Sequence, residues 1–211
     1  MTAMEHVYRA GDPSKPTLIL LHGTGGDEHS LLEIASFLDP QMPVVSLRGT
    51  VSENGALRFF RRFAEGNFDW ESIEKNTDEL LDTLRSLAEH YAFSLENTII
   101  VGYSNGANIG AHLFLSRDKA PIKRGIFFHP MFLGKDAASF SLADKEVWLS
   151  NGEHDPLLPA GNFEQLTTAF EKRRAAVVPF YTSQGHQLLS SELKAAKEWL
   201  ICLFDIIFPA M

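Results

Sequence analysis

Cysteine is almost missing from this chain. Its 211 residues hold one, Cys202, in an apolar stretch near the C-terminus. That excludes an intrachain disulfide framework and a cysteine-rich zinc site, and a buried thiol is expected. Long hydrophobic runs are missing too: no segment approaches the roughly 18 apolar residues of a membrane span. The opening MTAMEHVYRAGD has no apolar core behind a basic start, so no membrane insertion and a cytoplasmic location are expected. Basic charge is in deficit, with 27 acidic against 19 basic side chains and a net charge of -8. Without like-charge blocks, this argues against a grip on nucleic acid. Repeats, low-complexity tracts and Pro/Gly/Ser-rich linkers are also absent, so residues 1–211 are read as one domain, a monomer or homodimer.

What is present is an alternation. Short apolar runs at 17–21, 44–47, 98–102, 125–129, 146–150 and 176–181, with a weaker edge candidate at 6–8, suit strands buried on both faces of a parallel sheet. Between them, 69–91 repeats Trp70, Ile73, Thr77, Leu80, Leu81, Leu84, Leu87, Ala88 and Tyr91 at helical steps. Ser30 and Glu33 read as a capping box opening a helix to Phe37, and further helices are expected over 160–174 and 191–207. The class is α/β: a mostly parallel central sheet of about six to seven strands with helices on both faces.

Gly102-Tyr103-Ser104-Asn105-Gly106 follows the apolar strand directly and leads into a segment that can be helical. This is the strand–turn–helix setting of the G-x-S-x-G motif, where a serine on a sharp, strained turn is presented as a nucleophile and small residues two positions either side avoid collisions. The motif's chain order of serine, acid, histidine then selects the partners. Only His186, in Ser183-Gln184-Gly185-His186-Gln187, lies beyond both the serine and an acid at a strand end. Asp155 is the favoured acid, leaving the 146–150 strand in Asn151-Gly152-Glu153-His154-Asp155-Pro156, with Glu153 as its rival. The proline favours an extended backbone at Asp155.

Leu21-His22-Gly23-Thr24-Gly25-Gly26-Asp27 follows the first strong strand. Its glycines let backbone N–H groups face a ligand, so an oxyanion hole is expected from the amides of Thr24 and Asn105, with Gly25 next in line. A dinucleotide loop is disfavoured, since Glu28 stands where the third glycine of G-x-G-x-x-G belongs. His22 is expected to brace the loop. His22 and His29 lack the spacing of a helical H-E-x-x-H pair, so neither a metal nor a cofactor is expected. The aperiodic stretch 48–68 is long enough to border a site. Arg48, Phe60 and Phe63 are named there as substrate-binding candidates, with Phe59, Arg58, Arg61 and Arg62 beside them. An amphipathic helix with aromatics inward and arginines solvated is the favoured alternative for the stretch.

Taken together, these motifs resemble the phospholipase/carboxylesterase family of small α/β hydrolases, which is related to acyl-protein thioesterases and dienelactone hydrolases. The quoted residues are Leu21 to Asp27, Gly102 to Asn108, Gly152 to Pro159 and Gly185-His186. The resemblance covers almost the whole chain. It implies an α/β-hydrolase fold without a large inserted lid domain, and a carboxylesterase acting on a small-molecule ester. Two departures stand out: Asn105 where many relatives carry glutamine, and Ser104 where dienelactone hydrolases carry cysteine. A thioesterase or lysophospholipase with the same triad, and a non-catalytic ligand-binding protein on the same fold, are the alternatives.

Overall fold

The computed structural model describes residues 4–134 and 138–207. In chain order the strands are β1 (His6–Arg9), β2 (Thr17–Leu21), β3 (Val44–Leu47), β4 (Val51–Glu53), β5 (Ala56–Arg58), β6 (Arg62–Ala64), β7 (Asn67–Phe68), β8 (Thr98–Tyr103), β9 (Arg124–Phe128), β10 (Glu146–Gly152) and β11 (Ala176–Thr182). The helices are α1 (Leu32–Leu38), α2 (Trp70–His90), α3 (Asn105–Ser116), α4 (Asn162–Lys172) and α5 (Ser190–Ile207). Seven strands form one sheet in the order β1-β3-β2-β8-β9-β10-β11. Only β1 runs antiparallel, along β3.

Strand periodicity divides the core. In β2, Ile19 and Leu21 point to one face with the apolar sides of α2, α3 and α4, while Leu18 and Leu20 point to the other with α1 and α5. The near-continuous apolar strands therefore bury both faces. Pro179, which has no N–H to donate, sits in the edge strand β11, where a missing donor costs least.

The strand order reverses at β2 and β8, and open parallel sheets bind ligands beyond the carboxyl ends of strands at such a switch point. Leu21 pairs with Gly102, so the loop after β2 and the turn after β8 leave the sheet side by side.

Three local expectations change. Ser30 does not cap α1, which starts after Leu31 without a side-chain cap. Ser30 Oγ instead accepts the Asp27 N–H at 2.9 Å and donates back to Asp27 Oδ1 at 3.1 Å, closing the preceding loop. Cys202 is exposed rather than buried. Ala196 and Leu200 set the inward stripe of α5, and two residues past Leu200 the helix has turned about 200°. The stretch 48–68 is neither helix nor bare loop but two hairpins, β4–β5 and β6–β7. Asn54 and Gly55, with φ of 52° and 87°, make the first turn, and Asn-Gly is the strongest short signal for that geometry. Among the described residues, no helix is long and apolar enough to cross a membrane.

Candidate active site

Ser104 stands between β8 and α3 with φ 50° and ψ -115°, a conformation that costs a non-glycine residue free energy and persists only where its surroundings enforce it. The enforcement is local. Ser104 N–H donates to Phe128 O at 2.9 Å, and Ser104 O accepts from Asn108 N–H at 2.8 Å. Gly106 admits no side chain, because a Cβ there would lie 2.1 Å from Leu21 O. The helix therefore packs directly on the end of β2.

The strained turn aims the hydroxyl at His186, whose Nε2 lies 2.8 Å from Ser104 Oγ. In the tautomer that lets Nε2 accept that proton, Nδ1–H donates to Asp155 Oδ2 at 2.6 Å. The other carboxylate oxygen of Asp155 accepts Leu157 N–H at 2.9 Å, which holds the acid in place. Glu153 is exposed and its N–H donates to Thr182 O, so it does not meet His186. A Cβ on Gly152 would lie 2.1 Å from Gly185 O. Glycine at that position lets the acid loop close against the histidine loop.

Behind this row lies a second pair that no sequence motif marks. His129 follows β9 with φ 51°, and its side chain has no exposure. Its Nδ1 lies 3.5 Å from Asp155 Oδ2, and its Nε2 lies 3.0 Å from Glu192 Oε1, off the line of a good hydrogen bond. Burial works against the Glu192 charge, yet the facing His129 and neighbouring donors hold its carboxyl below the usual glutamate range. Tyr103 closes the other side and donates its hydroxyl to His186 O at 2.8 Å. Burial, and then the Asp155 and Glu192 charges, push the Tyr103 pKa up, so it stays a donor. A histidine directly after a strand-end phenylalanine is a faint signal; Glu192, inside a helix, gives none.

His22 braces the loop after β2. Its Nδ1–H donates to Gly23 O at 2.7 Å and its Nε2 accepts Gly49 N–H at 2.9 Å. Burial pushes its pKa down, which keeps the ring neutral and both bonds compatible. Within that loop Gly25 N–H is taken by Leu57 O and Gly26 N–H by Gly23 O, whereas no hydrogen bond among the described residues takes the amides of Gly23 and Thr24. Across from it, Asn105 Oδ1 accepts Phe59 N–H at 2.7 Å and ties the serine turn to the first hairpin.

Ser104 opens on a cavity of about 230 Å³. Its lining combines polar Thr24, Arg58 and Arg62 with apolar Met131, Leu157 and Leu158. The substrate-binding candidates Gly25, Arg48, Phe60 and Phe63 are not among its lining residues. Arg48 donates to Glu28 Oε1 at 2.6 Å and pairs with Glu5, on the outside of the loop. Phe60 is fully buried in the core, whereas Phe63 is 73% exposed. Hairpin geometry, not the sequence of aromatics, decides which side chain reaches the cavity. His129, Asp155 and His186 offer ligand atoms within 4.8 Å of one another, the one such cluster among the described residues. A metal there would have to displace the bond between Asp155 and His186.

A family model described as Phospholipase/Carboxylesterase matches residues 2–203. MhqD of Bacillus subtilis (strain 168) is 39% identical over 196 residues, covering 93% of this chain and 97% of that protein. The Bacillus cereus carboxylesterase superimposes with a TM-score of 0.93 at 42% identity, over 96% of each chain. YahD superimposes with a TM-score of 0.89 at 39% identity, over 94% of this chain and 98% of its own.

Proposed function

The chain belongs to the phospholipase/carboxylesterase family of hydrolases, and from that premise we propose that it cleaves small carboxylic esters with Ser104 as nucleophile, His186 as base and Asp155 as acid. The observation that carries this reading is the unbroken row from Ser104 Oγ to His186 Nε2, 2.8 Å, and from His186 Nδ1 to Asp155 Oδ2, 2.6 Å.

His186 takes the Ser104 proton as Oγ attacks the ester carbonyl, and Asp155 stabilises the imidazolium that results. The oxyanion accepts hydrogen bonds from the amides of Thr24 and Asn105, each contributing about 3 kcal/mol to the transition state. The imidazolium then protonates the leaving alcohol. Water, deprotonated by His186, releases the acid from the acyl-enzyme. Tyr103 supports the imidazole through the backbone carbonyl of His186.

Substrate size follows from the cavity. About 230 Å³ next to Ser104 favours short acyl and alcohol groups over the long chains of a lysophospholipid. YahD was solved with malic acid, and a ligand of that order of size suits this space. The test is labelling by a fluorophosphonate together with hydrolysis of para-nitrophenyl esters of increasing chain length. Labelling at Ser104 and turnover that declines with length are expected. Failure to label, in a protein that remains folded, points instead to a ligand-binding protein.

A further inference from the structure

The wall that the hairpins present to Ser104 carries a buried charge that the triad does not use. Arg58, the last residue of β5, is 3% exposed and lines the cavity. Its Nη1 donates to Thr24 Oγ1 at 2.8 Å and its Nε to Phe60 O at 3.2 Å. Nε also lies 3.3 Å from Glu53 Oε2. No residue among those described accepts from Nη2.

The neighbouring carboxylates are shared between two cations. Arg62 also lines the cavity, but it draws on Glu53 at 3.0 Å and on Glu65. The single charge of Glu53 is thus shared by two arginines. Burial, and then the positive charge of Arg62, push the Arg58 pKa below the ordinary arginine value against the pull of Glu53 and Glu65.

A second polar group belongs to the same lining. Asn105 is 2% exposed and lines the same cavity. Because its Oδ1 takes the N–H of Phe59, the neighbour of Arg58, the orientation of its amide is fixed. Nδ2 is left buried without a hydrogen-bond partner among the described residues and without surface open to the cavity, so it adds a partial positive charge to the lining rather than a direct bond to a ligand. A planar guanidinium with one unengaged nitrogen in the cavity lining suits a carboxylate, and the Asn105 amide adds positive potential to the same site.

We propose that Arg58 binds a free carboxylate on the substrate, so that the preferred substrates are small esters carrying a second, ionised acid group. This rests on the ester-hydrolase reading of the same site. The apolar residues of the lining, Met131, Leu157 and Leu158, suit the uncharged part of such a molecule.

The test compares matched anionic and neutral esters on wild type, R58Q and R58K. Para-nitrophenyl hydrogen glutarate against para-nitrophenyl valerate places the charge on the acyl side. Acetylated glycolate against ethyl acetate places it on the alcohol side. In at least one pair, wild type favours the anion in kcat/KM, and R58Q lowers that ratio about tenfold or more, chiefly through KM. R58K retains part of the preference, since the charge survives without the fork. If R58Q does not fold, the wild-type and R58K ratios carry the test. A wild-type ratio at or below one in both pairs overturns the proposal. So does a substitution that slows both esters of a pair equally, because Arg58 then only holds Thr24. When Ser104 is labelled by a fluorophosphonate and neutral esters are cleaved with a flat ratio, this inference alone fails. When no ester is cleaved and Ser104 is not labelled, the hydrolase reading fails and takes this one with it.

Discussion

His129 Nε2 lies 3.0 Å from Glu192 Oε1, both side chains without solvent exposure, and the far nitrogen of the same ring lies 3.5 Å from the carboxylate of Asp155. Glu192 Oε2 also accepts Leu189 N–H at 2.8 Å, just beyond His186 in the chain. A strand-end histidine is thereby tied to the start of α5, and both back the acid that touches His186.

Breaking a buried pair leaves an uncompensated polar group, so Glu192→Gln is expected to lower unfolding stability by roughly 3 kcal/mol. It also changes the acid limb. The Glu192 pKa is lowered in the folded protein from an ordinary value of 4.5. Its contribution is therefore fully present above that value and is lost as pH falls through the lower folded pKa. Urea unfolding at neutral pH and below pH 4.5 checks this: the variant should lose less stability on acidification than the wild type. Equal losses would count against the pairing.

The proposed triad predicts steep and unequal losses. Ser104→Ala and His186→Ala should abolish nearly all para-nitrophenyl ester hydrolysis, and Asp155→Asn should reduce kcat about 10,000-fold by favouring the wrong tautomer. Glu153→Gln should leave the rate near wild type, since Glu153 is exposed and does not meet His186. Stopped-time assays on folded protein decide it, and an active Ser104→Ala enzyme would refute the nucleophile.

His22 makes stability depend on pH in a second window. Its folded pKa is lowered from 6.5 by burial, despite the bond to Gly23 O. Above 6.5 the ring is neutral in both states and exerts no effect; as pH falls below it, only the unfolded chain takes up the proton, and stability declines. His22→Gln removes that share of the slope, so the difference between its unfolding free energies at pH 7 and pH 5.5 should be smaller than in wild type.

Gly106→Ala tests the packing of the serine turn. The added Cβ would lie 2.1 Å from Leu21 O, a backbone atom that cannot step aside. A loss of about 3 kcal/mol is expected, roughly 6–12 °C in Tm for a chain of this size. Ester hydrolysis should fall with it, because Ser104 and the loop after β2 shift together. A scanning melt and an activity assay below the transition separate the two effects.

The part of the site that was legible is the part written in short motifs at strand ends. Ser104 needs glycine neighbours whatever surrounds it, and an apolar strand must precede it, so five residues announce the turn. His186 followed from order along the chain. Asn54-Gly55 announces a hairpin just as locally, but the arginines and phenylalanines after it also fit the two faces of an amphipathic helix. The α/β pattern was legible for the same reason: strands buried on both faces must be apolar throughout, and helices between them must show a stripe.

What the sequence by itself determined is which segments become the strands of the main sheet and the helices around it, and which turn presents Ser104, because those depend on neighbours within a few residues. Tertiary structure brought Asp155, which the sequence favours over Glu153, to His186, and it alone decided that Arg58 and not Arg48, Phe60 or Phe63 lines the cavity and that Glu192 stands behind Asp155. Each of those depends on how a loop or hairpin is rotated by packing against elements far away in the chain. A rotation of one residue sends a side chain to core, cavity or solvent without altering the local pattern.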